Sequence, residues 1–199
     1  MNGKAPSTVH HPPSSVEEML QQVNDIRYKI YDHYLKRKLP DAMSRRQNKP
    51  MNFQQADSIG ILFDATHPTS RVFINEYRES LIAKDKRVSI LGYFNDKKDH
   101  QNVIFKYFNN KDLTWHWHPK SQVVREFTDK RFDILIGLHL VPCPPLEYVA
   151  ALSQAHIRVG RYRPEREHCY DLMIDIADDY DLKGFADQIE AFLKRVNEK

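Results

Sequence analysis

The sequence predicts an α/β fold, a single three-layer domain in which helices cover both faces of a mostly parallel sheet, preceded by an N-terminal amphipathic helix. Three observations carry this. In Phe132–Tyr162 an apolar run (Ile134–Val141) ends in a Pro-rich turn, a helical pattern follows through Leu146, Val149, Ala150 and Leu152, and a second apolar segment returns at Ile157–Val159. A strand–helix–strand unit of this kind reads as parallel, because a parallel pair needs a crossover and its strands are apolar on both faces. An earlier stretch repeats the order, with SIGILFDA, a helical alternation over 72–82 and RVSILGYF. And 199 residues with 41% hydrophobic side chains are enough to bury a core of this size.

Taken in order, residues 1–14 are rich in Pro, Ser and His and read as a disordered tail. Ser14 and Ser15 precede Glu17 and Glu18 at helix-start spacing. Val16, Leu20, Val23, Ile26, Ile30 and Tyr34 then recur every three to four residues, predicting an amphipathic helix over 15–39 that closes before Pro40. Residues 40–57 lack periodicity and read as a basic linker, and the α/β domain is expected over 58–199. Within it, Asn95–Asn102 reads as a polar loop, Val103–Phe108 is left unassigned, and LTWHWH (113–118) alternates like a strand. Ser121–Phe127 reads as a short helix and Cys169–Ala177 as a strand, while Leu182, Phe185, Ile189, Phe192, Leu193 and Val196 trace one face of a final helix.

The net charge of +3 is modest, but it is unevenly placed: Ile26–Pro50 holds eight basic and two acidic residues, so that segment carries +6. Such asymmetry points to an anionic partner, and Lys36, Arg37, Lys38, Arg45, Arg46 and Lys49 are the candidate partner-binding residues. The acids around Asp175–Asp181 offer an intramolecular alternative partner. Two cysteines, no secretory leader and no run of the ~18–20 apolar residues a membrane span needs lead to the expectation of a cytoplasmic protein.

Catalytic signatures are absent. All six glycines are isolated, so neither the glycine-rich dinucleotide fingerprint nor a P-loop is present; the layout is Rossmann-like without its nucleotide motif, and no cofactor is expected. The crevice at the carboxyl ends of the strands would collect Asp64, His67, His139 and Arg161 as catalytic or ligand-binding candidates. Thr69 and Ser70 read as caps of the following helix. His116 and His118, two apart on the expected strand, would share a face and form a weak metal candidate. Cys143, ahead of two prolines, reads as an exposed thiol, and Cys169 as a packed one.

The segments SIGILFDAT (58–66), the second strand with its following Asn (90–95), FDILIGLHLVPCPPLEYVAALSQAHIRVGRY (132–162) and YDLMIDI (170–176) resemble a family of short, uncharacterised cytoplasmic proteins of the Bacteroidota, over about residues 20–197. That resemblance implies no activity and no catalytic residue. The proline-rich turn and the Ala155–Gly160 strand are also similar, more weakly, to the amino-terminal half of heptosyltransferase-like glycosyltransferases, which implies an acceptor-side fold without a donor domain.

The expectation from these readings is a non-catalytic binding protein that docks through its basic helix and linker on RNA, a ribonucleoprotein or an acidic protein. The alternative is a small-ligand binder or enzyme using the strand-end crevice. A homodimer through the apolar face of the 15–39 helix is a third possibility.

Overall fold

The computed structural model describes residues 15–47 and 51–195. The expected tail over 1–14, Lys49 and Val196 lie outside the described residues. Six strands, β1 (Ser58–Asp64), β2 (Arg87–Phe94), β3 (Lys106–Asn109), β4 (Ile134–Leu138), β5 (Ile157–Arg161) and β6 (Leu172–Ile174), form one sheet in the order β3-β2-β1-β4-β5-β6. Every neighbouring pair is parallel. β1 is central: β2 and β3 lie to one side and β4, β5 and β6 to the other, so the chain changes direction across the sheet between β1 and β4.

Helices α1 (Val16–Arg45), α2 (Pro68–Ile82), α3 (Gln122–Thr128), α4 (Pro144–Leu152) and α5 (Leu182–Arg195) form the outer layers. Side chains alternate along each strand, so one strand feeds both faces. Ile59, Ile61 and Phe63 of β1 pack with Ile74, Tyr77 and Leu81 of α2 and with Phe185, Ile189 and Leu193 of α5. Leu62, in contrast, joins Leu91 and Leu135 beneath Tyr31 and Leu35 of α1, Val124 and Phe127 of α3, and Leu146 and Val149 of α4. Most of these side chains are fully buried, and each aliphatic one contributes roughly 1.5–3 kcal/mol.

Two glycines are required by a close approach. A Cβ on Gly137 of β4 or Gly160 of β5 would collide with the Tyr170 ring, which lies across both strands. Their role is to seat an aromatic ring on the sheet, a role that their isolation in the sequence does not signal.

Three expectations are corrected. α1 does not close at Leu39 but runs through Pro40 to Arg45. Pro40 removes the bond to the Lys36 carbonyl, yet buried Ala42 and half-buried Leu39 hold the last turns on the domain. Nor is 40–57 a free linker, since Met51, Phe53 and Ala56 are buried in the α2/α5 layer. LTWHWH is not a strand. A single bridge joins Leu113 to Pro119, and the turn between them puts Trp117 at φ 62. In the sequence, alternating aromatics imitate a half-buried strand; in space they line a tight loop. The unassigned 103–108 stretch supplies most of edge strand β3.

Candidate anion-binding groove

α1, α3 and α4 meet on one side of the sheet around a cavity of about 520 Å³ lined by Arg37, Lys38, Asp41, Arg45, Pro119, Lys120, Val124, Arg125, Thr128, Asp129, Tyr148 and Leu152. Each helix contributes for a local reason. The polar last third of α1 turns Arg37, Lys38 and Arg45 outward while Leu35 and Ala42 face the core. Ser121 caps α3 by accepting from the Val124 N–H, which fixes Lys120 and Arg125 at the rim. In α4, Tyr148 is buried except for its hydroxyl end, which accepts a 2.7 Å hydrogen bond from Lys38 Nζ.

The charges are unequally satisfied. Arg45 is 3.1 Å from Asp41 and 3.8 Å from Asp129. Arg37, Lys38, Lys120 and Arg125 have no carboxylate partner among the described residues. Four unpaired cations around a partly apolar floor raise the local potential for an anion.

The other expected partner-binding residues are placed elsewhere. Lys36 is ion-paired at 2.7 Å with Asp32 of its own helix. Arg46 is structural: it pairs with Asp171 and donates to the carbonyls of Ala155 (2.6 Å) and His156 (2.7 Å). Asp171 also takes a bidentate pair of bonds from Arg158, at 2.9 and 3.2 Å. Burial works against its charge, but the two guanidiniums hold its carboxyl below the usual carboxylate range. The acids that reach the basic segment from the rest of the domain are therefore Asp171 and, more distantly, Asp129, whereas Asp178 of the expected 175–181 group pairs with Arg161.

An aromatic chain runs from the groove along α1. Tyr148 packs against His118 (4.8 Å between centroids), His118 against His116 (4.4 Å, perpendicular), and His116 stacks on Tyr34 (5.0 Å, 11°). Tyr34 is 44% exposed and neighbouring Trp115 is 58% exposed. The 113–119 loop thus brings His116 and His118 together, though not as a metal pair. His118 Nε2 lies 3.2 Å from the Tyr31 carbonyl, and no group of three or more potential ligands occurs among the described residues. Burial lowers the His118 pKa to about 4, and that of His116 in the same direction, so both rings are neutral at pH 7.

The strand-end candidates do not converge. A second cavity, of about 440 Å³, is lined by His67, Thr69, Ser70, Phe73, Leu140, Asp181, Leu182 and Lys183, and so takes in one of the four. His67 is the N-cap of α2 but makes no side-chain capping bond. His139 is buried, with Nδ1 2.9 Å from the Val141 carbonyl and Nε2 2.9 Å from the Tyr170 hydroxyl. Burial lowers its pKa to about 4. Asp64 accepts from the Thr66 N–H, and Arg161 is held by Asp178 and the Ile176 and Leu140 carbonyls. Cys143, expected to be exposed, is buried, and burial pushes its thiol pKa up, which suppresses the thiolate. Cys169 is buried as expected, with the same consequence.

Sequence reasoning found Arg37, Lys38 and Arg45 through their charge density. It missed Lys120, Arg125 and Tyr148, which enter the groove from helices about 80 to 110 residues away and carry no local signal. No curated protein and no solved structure matches the chain. The model of a family of unknown function, DUF6913, matches residues 27–196, from the middle of α1 to the end of α5, and the chain belongs to that family.

Proposed function

We propose that this protein is a non-catalytic binding module that docks an anionic partner in the groove between α1, α3 and α4. The observation that carries the reading is the set of four cations, Arg37, Lys38, Lys120 and Arg125, around one cavity with no carboxylate partner among the described residues. RNA, a ribonucleoprotein or an acidic protein surface fits that chemistry. The sheet has the strand order of Rossmann-like doubly wound folds, whose ligands bind at the strand ends near the switch point. Here the buried His139 and the tethered Arg161 and Asp64 weigh against an acceptor-type enzyme at that place. The two free thiols and the resemblance to Bacteroidota proteins support the reading of a bacterial cytoplasmic protein.

Heparin, a simple polyanion, tests the groove. The double reversal Arg37→Glu with Lys120→Glu is expected to lower the salt needed for elution and to flatten the salt dependence of binding by about two contacts. Reversing exposed Lys97 and Lys98, on another face, serves as the control. Equal losses from both pairs of substitutions would refute the groove.

A second reading rests on a separate observation. Val16, Met19, Leu20, Val23 and Ile26 are each more than half exposed on the first turns of α1, although they form a stripe at heptad-like spacing. A second copy laid antiparallel and centred on Val23 covers this stripe and sets Glu17 opposite Lys29. Light scattering after size exclusion tests it: mass should rise with concentration in the native chain and stay monomeric in Val23→Glu. A native chain that is monomeric at every concentration would end this reading.

A further inference from the structure

We propose that the occupant of the groove is single-stranded RNA, with its phosphates on the groove cations and its bases stacked on Tyr34 and Trp115. This rests on the anion-binding reading of the groove and specifies its partner.

Single-strand binding requires two surfaces together, a cationic track and an exposed aromatic platform. Tyr34 precedes Lys38 by one helical turn on α1, so the platform and a groove cation share a face. The same sequence of contacts, Tyr34 to His116 to His118 to Tyr148, ties Tyr34 to the groove through packed rings, and Trp115 joins them edge-on at His116. A stacking site that is already ordered loses little entropy on binding. Tyr34 stacks on His116 and Trp115 meets the same ring edge-on, yet 44% and 58% of their surfaces stay exposed and available to a base. An acidic protein would use the cations but has no need of the rings.

The groove also contains Asp41 and Asp129 among its cations. These carboxylates oppose a bare polyanion or an acidic peptide, yet they are acceptors for a ribose 2′-hydroxyl, the group that distinguishes RNA from DNA. The neutral His116, kept so by burial beside Arg27, adds stacking surface without adding charge.

The test measures anisotropy of a fluorescein-labelled single-stranded RNA dodecamer against the full chain, with the same sequence as duplex RNA and as single-stranded DNA, and with heparin and polyglutamate as competitors. Single-stranded RNA should bind tightest, and Trp115 fluorescence should be quenched on binding. Trp115→Ala alone, and together with Tyr34→Ala, should weaken RNA binding about tenfold per ring while leaving heparin binding within about twofold. Both side chains are exposed, so Trp115→Ala keeps the test valid even if the double variant folds poorly. If heparin binds through Arg37 and Lys120 but RNA does not, or if the aromatic substitutions leave RNA binding unchanged, the RNA proposal falls and the groove stands. If neither binds, both fall. Equal affinity for duplex RNA would refute stacking, equal affinity for DNA would refute the ribose contact, and tighter binding of polyglutamate would assign the groove to an acidic protein.

Discussion

The two faces of the sheet are built from the same strands but differ in kind. Beneath α2 and α5 the buried layer is almost wholly apolar, and among the described residues its one buried acid, Glu190, sits at the rim between Lys84 and Lys194. Beneath α1, α3 and α4 the layer includes Glu147, Arg158, Arg166, His118 and His139, all at least nine-tenths buried. Glu147 Oε2 is 3.1 Å from Arg166 Nε, its Oε1 accepts from the Cys143 N–H, and Arg166 in turn caps the Tyr28 ring at 4.2 Å. A buried pair of this kind adds little net stability over an apolar substitute, but it fixes which partners meet. The first face provides the cohesion of the domain. The second uses buried charge to set the position of α1, and α1 carries Arg37 and Lys38 of the groove as well as the exposed stripe.

The largest test of this contrast is removal of one buried charge. Glu147→Ala is expected to cost about 3 kcal/mol in urea unfolding, because it takes the nearer carboxylate from buried Arg166 and leaves it only Asp32, 3.6 Å away. Burial pushes the Glu147 carboxyl up to about 7, so Glu147→Gln, which keeps volume and acceptor, isolates the part of its contribution that depends on ionisation. Phe185→Ala on the opposite face should cost a similar ~3–5 kcal/mol through its cavity, with no dependence on pH. A Glu147→Ala loss under about 1 kcal/mol would remove the distinction between the faces.

A smaller effect comes from acid. His118 and His139 have pKa values lowered to about 4 by burial, whereas in the unfolded chain they titrate near 6.5. The unfolded state therefore takes up protons first as pH falls, and stability drops from pH 6.5 down to about 4. Between pH 7 and pH 5 each histidine contributes a loss of at most about 2 kcal/mol. His118→Gln, whose amide can still donate to the Tyr31 carbonyl, should flatten the thermal-midpoint profile in this window. An unchanged slope would show that this histidine is protonated in the folded protein. The smallest effect should be that of Arg37→Glu with Lys120→Glu on folding, within about 0.5 kcal/mol, since groove cations at the surface are not needed for the fold. A large loss there would make the groove a structural feature and end its functional reading.

Much of the fold was legible because it follows from local periodicity. β2 spans the residues its apolar run marks, and α4 and β5 follow the Pro-rich turn as the pattern requires. The misreadings have definite causes. Pro40 signals a helix end, but packing of Leu39 and Ala42 outweighs one lost hydrogen bond. The 113–118 alternation has strand period, but a residue at positive φ bends it into a loop. For the site, charge density marked α1, and it marked Arg46 equally, although Arg46 is sequestered by Asp171, 125 residues away in sequence.

The sequence by itself determined the layered architecture, most of the elements and their order, the lack of a glycine-rich phosphate loop and the excess of positive charge near α1. Each of these is a property of neighbouring residues, set by hydrophobic period and backbone chemistry. Tertiary structure alone decided the strand order, the seat of Tyr170 on Gly137 and Gly160, which cations are neutralised, and which remain to form a groove with Lys120, Arg125 and the Tyr34–Trp115 platform. Those outcomes depend on which charge meets which partner across the sheet, and electrostatic pairing over a hundred residues leaves no periodic trace in the chain.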